Sequence, residues 1–137
     1  MGEMMKTSNT ILSELALVID STAIKALSGD IYKVTRPTDS VLEDCVIHLI
    51  PGTTAKFVQD GAIFVKIFFL DINMGNTYYQ DFINGNAKEV LLFTLSELFL
   101  KTPGYSFFIE SREIYIEAVE EIHQHYAILK MNFKVLI

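Results

Sequence analysis

Glu121-x-His123-x-His125 is the one spacing in this chain that points to metal ligation. Alternate side chains of a strand project to the same side, so a carboxylate oxygen and two imidazole nitrogens would converge on one ion. The pattern has no third histidine or cysteine beside it, and His48 is distant in sequence. A polar turn ahead of a final strand is the preferred reading, and neither a metal nor a cofactor is expected. Cys45, the single cysteine, lies among Val46, Ile47 and other apolar residues, where a buried structural thiol is the ordinary outcome. Having no partner for an internal disulfide, it fits a reducing compartment. Nucleophilic catalysis would need a nucleophile, a base and an orienting acid, and no local signature such as Gly-x-Ser-x-Gly is present. The seven glycines are scattered, so none forms a phosphate-cradling loop after a strand. No catalytic residue is expected, and the chain does not read as an enzyme.

Charge and exposed apolar residues carry more information than any motif. The 137 residues include 17 acidic and 11 basic side chains, a net charge of −6, which argues against a protein that grips nucleic-acid phosphates. Between residues 105 and 121 five glutamates (Glu110, Glu113, Glu117, Glu120 and Glu121) stand against Arg112 alone. Such a run is ordinarily a solvated face, and its functional alternative is an acidic wall past which DNA slides without sticking. Phe57, Val58, Met74, Tyr78, Tyr79, Phe82, Phe107 and Phe108 fall in or beside turns. They either fold back on the core or form a partner surface.

The elements that place these residues follow from periodicity. With 50% hydrophobic and 20% charged residues the chain is a folded domain rather than a disordered one. One domain over residues 1–137 would bury roughly 68% of its unfolded surface. Apolar residues at spacings of three and four predict a first helix over 8–19, with a short turn restarting through Leu27. Residues 31–34 read as a strand and residues 36–40 as a loop around Pro37. A strand over 45–50 is expected to stop at Pro51-Gly52, followed by a β-rich stretch over 56–70 in which Asp60-Gly61 is a bulge or a turn. Residues 71–85 read as a long surface connection. Asn86 and Glu89 resemble a reciprocal cap for a second helix over 87–101, sandwiched between layers because Phe93, Phe99 and Leu100 widen its apolar face. Strands over 105–110, 113–119 and 126–136 close the chain, with Ala127, Leu129, Met131, Phe133 and Val135 on one face. The expected fold is α+β, a mainly antiparallel sheet of four to five strands with two main helices packed on one face. The longest greasy runs, 63–70 and 90–100, fall short of the ~20 residues a membrane helix needs. The start is a poor signal peptide, so a cytoplasmic protein is expected.

The order helix, strand, Arg-Pro loop, two strands, long connection, helix and closing strands resembles small tail-terminator and tail-completion (head–tail connector) proteins of long-tailed bacteriophages. The residues carrying the likeness are Gly29-Asp30-Ile31-Tyr32-Lys33 with Arg36-Pro37, Glu43-Asp44-Cys45-Val46-Ile47, the β-rich 59–71 and the closing 126–134. The resemblance implies a non-enzymatic virion part that self-associates as a ring, commonly hexameric, and meets tail-tube and connector proteins. It implies neither sequence-specific nucleic-acid binding nor a membrane. Localisation would be cytoplasmic during assembly and then in the virion. Candidate contact residues are Arg36 in its loop, Met74, Tyr78, Tyr79 and Phe82 in the long connection, and Glu110, Glu113 and Glu117 lining an acidic lumen. The reading from another class is a small dimeric module whose exposed aromatics line a ligand cleft or a two-fold interface.

Overall fold

A threonine starts the first helix. In a computed structural model, which describes residues 6–55 and 58–136, the Thr7 side chain accepts from the Thr10 amide and opens α1 (Ser8–Asp20). Ile11, Leu12, Leu15 and Ile19 form its buried stripe. Thr22 then caps a 3-10 turn over Ala23–Ala26, as the competition of Asp20-Ser21-Thr22 for backbone bonds implies.

Strands β1 (Ile31–Lys33), β2 (Cys45–Ala55) and β3 (Val58–Leu70) come next. They are followed by β4 (Ile72–Met74), β5 (Thr77–Tyr79) and α2 (Phe82–Leu100). The chain closes with β6 (Tyr105–Phe107), β7 (Glu113–Val119) and β8 (Gln124–Leu136). The main sheet runs β1-β2-β3-β8, and both β6 and β7 pair with the far side of β8. All pairings are antiparallel except β1 with β2. The fold is therefore the expected α+β type, with six strands in its main sheet and a separate β4–β5 hairpin. All six fall on stretches that read as strands in the sequence, the count exceeding four to five because β6 and β7 pair with β8 as separate strands; the β4–β5 hairpin, with three residues in each strand, is too short for alternation to show.

The expected strand end at Pro51-Gly52 is not observed, because β2 continues to Ala55. The Cys45 N–H donates to the Asp30 carbonyl, and the Ile47 carbonyl accepts from Val34 N–H, so odd positions of β2 direct their backbone groups toward β1. Pro51 has the same parity and lies beyond the end of β1, where a missing N–H removes no ladder bond. The register shift falls just after it, between Pro51 and Thr54. Asp60-Gly61 is no turn either, since β3 runs straight through it. Gly61 leaves room for the Phe133 ring, since a Cβ there would lie 2.7 Å from its Cζ and the ring would have to shift.

One face of the sheet presents Ile47, Ile63, Val65, Ile67, Leu129 and Met131 to α1 and α2, all fully buried. From α2 the inward residues are Leu92, Leu95 and Phe99. Val90 and Phe93 are 57% and 47% exposed, so α2 lies on the sheet and is not sandwiched within this chain. Among the described residues no helix is long and apolar enough to cross a membrane.

Candidate functional site

The connection that reads as a loop is built as a hairpin leading directly into a helix. Asp71 leaves β3, its N–H donating to the His123 carbonyl and its carboxylate lying 2.5 Å from His125 Nδ1. Strands β4 and β5 then pair Ile72 with Tyr79 and Met74 with Thr77 around a two-residue turn. Gly75 occupies its first position with φ +69°, a conformation that suits glycine. Asp81 caps α2 by accepting from the Asn84 N–H at 3.0 Å, so the helix begins at Phe82 and the expected Asn86–Glu89 cap is not formed. The signal for this earlier start was Asp81 itself, masked by the turn-like Asn84-Gly85-Asn86.

This construction puts a ridge of apolar side chains in solvent. Met74 is 64% exposed, Tyr79 53%, Phe82 73% and Ile83 88%. Ile72 and Tyr78 are also exposed, and Ile72 and Ile83 are two members that sequence reasoning did not single out. Tyr78 is held from behind: its ring stacks on His123 at 3.7 Å between centroids and 7° between planes. His123 occupies the left-handed region at φ 53° after a 3-10 turn, which ends the strand alternation that a metal site would need. Glu121 lies in that turn, and His125 faces Asp71. Among the described residues no group of three metal-type ligands comes together. A cleft of about 430 Å³ separates the hairpin from the β7–β8 turn, lined by Asp71, Tyr78, Glu120, His123 and His125 among others.

Arg36 is turned inward. Its side chain is 8% exposed, lies 3.3 Å from the fully buried Asp44 carboxylate and donates to the Gln124 side chain at 2.6 Å. The guanidinium also covers the Phe68 ring at 3.7 Å. Burial lowers its proton affinity while Asp44 and Tyr32 oppose that effect. Asp44 further accepts from Ser40 Oγ and from the Asp30 N–H. Gly29 fits against it so closely that a Cβ would meet Asp44 Oδ1 at 2.2 Å. Arg36 thus ties its loop to the sheet. A second tie joins α2 to the start of β2: Lys88, buried, lies 2.7 Å from Glu43 and donates to Asn84.

No family model matches the chain, and no curated protein does either.

The remaining candidates are dispersed. Glu110, Glu113 and Glu117 are all exposed along the 3-10 turn after β6 and along β7, and Glu117 accepts from the Tyr126 hydroxyl. Phe107 folds back into an aromatic cluster with Phe99, Tyr105 and Phe133. Phe57 lies outside the described residues. Cys45 is buried, and its thiol is pushed up to about 12 by desolvation, with Asp44 adding to the effect. It has the environment of a structural thiol and not of a nucleophile.

Proposed function

We propose that this chain is a non-enzymatic structural subunit of a phage or prophage virion. In this reading it is a tail-terminator or tail-completion protein that closes into a ring, commonly hexameric, at the head–tail junction. The observation that carries the reading is the ridge on the β4–β5 hairpin and the first turn of α2, where Met74, Tyr79, Phe82 and Ile83 stand in solvent on a backbone fixed at both ends. Exposed apolar area of this kind marks a protein contact. A hairpin anchored by Asp71–His125 and Tyr78–His123 offers it without a large ordering cost on binding. Strands β1 and β7 form the outer edges of the sheet, available for pairing with neighbouring copies. The ridge would meet tail-tube or connector proteins, with the protein in the cytoplasm during assembly and in the virion afterwards.

Native mass spectrometry tests this. A species at six times the 15.5 kDa chain is expected for the wild type. The variant carrying Tyr79→Ser and Phe82→Ser is expected to keep its circular dichroism spectrum and lose that species or its binding to tail tubes. Unchanged assembly and unchanged tube binding in the folded variant would remove the ridge from the proposal. A wild type that is a dimer at every concentration would favour the small dimeric module.

A further inference from the structure

In a chain with a net charge of −6, one cleft is lined by nitrogen bases and by no carboxylate. It lies between the 34–38 loop and the helix-free face of the sheet, and its volume of about 310 Å³ falls at the lower end of the roughly 300–1,000 Å³ of small-molecule sites. Lys66 on β3 and His48 on β2 form part of its wall, with Thr35 and Thr38 contributed by the loop. Among the described residues Lys66 makes no ion pair. Its Nζ sits 4.7 Å from the Tyr126 centroid, at the end of a ladder in which Arg36 covers Phe68 and Phe68 packs on Tyr126. An ammonium carries three donors, so contact with one ring face leaves others for an anion. His48 Nε2 is shut off from solvent and also lacks a hydrogen-bond partner among the described residues, where buried polar atoms are ordinarily paired. Burial, and then the charge of Lys66, lower the proton affinity of His48, so the two bases oppose each other with no acid between them. The loop is bent into place against its preference. Val34 has φ 75° at the centre of a γ-turn closed by the Thr35 N–H donating to the Lys33 carbonyl at 3.0 Å, and its own N–H donates to Ile47 at 2.8 Å. A β-branched residue rarely adopts this conformation, and backbone of this kind collects at ligand sites.

We infer that this cleft binds a small monocarboxylate with a short apolar tail, the carboxylate between Lys66 Nζ and the His48 ring and the tail against Val34, Pro37 and Ile122. A carboxylate in that place exchanges the opposition of two bases for attraction to both. Phosphate is the poorer fit. The guanidinium fork of Arg36, the side chain best shaped for phosphate, is spent on Asp44, the Ser40 carbonyl and Gln124. Lys66 is left as the permanent charge, which matches one carboxylate and leaves a dianion under-neutralised. The other wall residues, Val46 and Phe68 with the three that hold the tail, are apolar, as a site for an aliphatic acid requires. The net charge of −6 makes a nucleic acid the poorer occupant as well. The inference goes beyond the ring reading and does not rest on it, since no residue of the hairpin ridge lines the cleft.

Titration of the full chain with hexanoate, followed by NMR shifts of the backbone amides and the His48 ring, tests it. Saturable shifts centred on Thr35, Thr38, His48 and Lys66 are expected, with a Kd in the millimolar range or below. Lys66→Gln, which keeps most of the aliphatic stem over the Tyr126 ring, weakens hexanoate by about tenfold or more. Lys130→Gln, on the same face but outside the cleft, leaves it unchanged. Hexanol has the same tail without the charge and inorganic phosphate the charge without the tail, and each binds the wild type at least about tenfold more weakly than hexanoate does. These two comparisons need no variant, so they decide the matter if Lys66→Gln impairs folding. Hexanol binding as tightly as hexanoate would reduce the cleft to an apolar crevice, and phosphate binding more tightly would make it a phosphate site. Either result overturns the inference, as does an equal loss in Lys130→Gln or the absence of saturable shifts at the cleft.

Discussion

Asp44 and Arg36 show how a residue that looks available in sequence is committed inside the fold. An Arg-Pro loop reads as solvent-exposed, yet Arg36 finds Asp44, Gln124 and the Phe68 ring, partners 8, 88 and 32 positions away. Nothing local in the sequence carries that information. Removing one partner of a buried ion pair leaves an uncompensated charge, so Asp44→Asn is expected to lower stability by about 3 kcal/mol in urea titration. Gly29→Ala is expected to do comparable damage by driving a methyl group into the Asp44 backbone and carboxylate. His48 makes a separate, pH-dependent contribution. Burial, and then Lys66, lower its pKa below 6.5, so the unfolded chain takes up a proton before the folded one does. Stability is therefore unaffected by His48 well above 6.5 and falls as pH drops through that value toward the lowered one. Glu14 acts at lower pH: its bond from Lys6, then that from the Tyr105 hydroxyl, lower its pKa below 4.5, and its contribution is lost as pH falls through the lowered value. In thermal melts across this range His48→Gln should flatten the first decline and leave the second, whereas an unchanged profile near 6.5 would show that His48 is not its source.

At the scale of elements, long periodic segments were legible and short ones were not. The first helix, the 113–119 strand and the inward set Ala127, Leu129, Met131, Phe133 and Val135 stand as the patterns indicate, because each repeats its period several times. The β4–β5 hairpin repeats nothing, and Asn84-Gly85-Asn86 imitates a loop inside the first turns of α2. Of the ridge, Met74, Tyr78, Tyr79 and Phe82 were readable as aromatic or apolar residues out of place, whereas Ile72 was hidden by the unread hairpin and Ile83 by the misplaced helix start. Gly85 has a packing reason. A Cβ there would lie 2.8 Å from Ile116 Cδ1 and 3.0 Å from Phe69 Cζ, so the glycine lets α2 approach β7 and β3. Alanine would recover about 1 kcal/mol of helix propensity against that clash. Valine adds bulk without the same gain, and Gly85→Val is expected to cost about 2 kcal/mol. Near-wild-type stability on denaturation would mean that α2 can shift outward freely.

For the whole molecule, the question is why α2 is apolar on more than one side. Its inner residues Leu92, Leu95 and Phe99 satisfy the sheet, while Ile83, Val90 and Phe93 form a second stripe facing outward at 88%, 57% and 47% exposure. The Arg112 guanidinium lies over the Phe93 ring at 4.6 Å. A stripe that contributes to the core and a stripe that contributes to assembly differ in what charge does to them. Lysine in a core position would unfold the domain, because an unpaired ammonium would lose its water. At Ile83 and Val90 the ammonium stays in water, and lysine also has the better helix propensity than valine. Ile83→Lys with Val90→Lys is therefore expected to change stability by no more than about 0.5 kcal/mol. If the outer stripe joins the hairpin ridge in one contact, the same variant loses its largest species in native mass spectrometry and gains solubility. Unfolding of the variant would instead mean that the stripe packs within the monomer, and retention of the wild-type species would leave the ridge alone as the assembly surface.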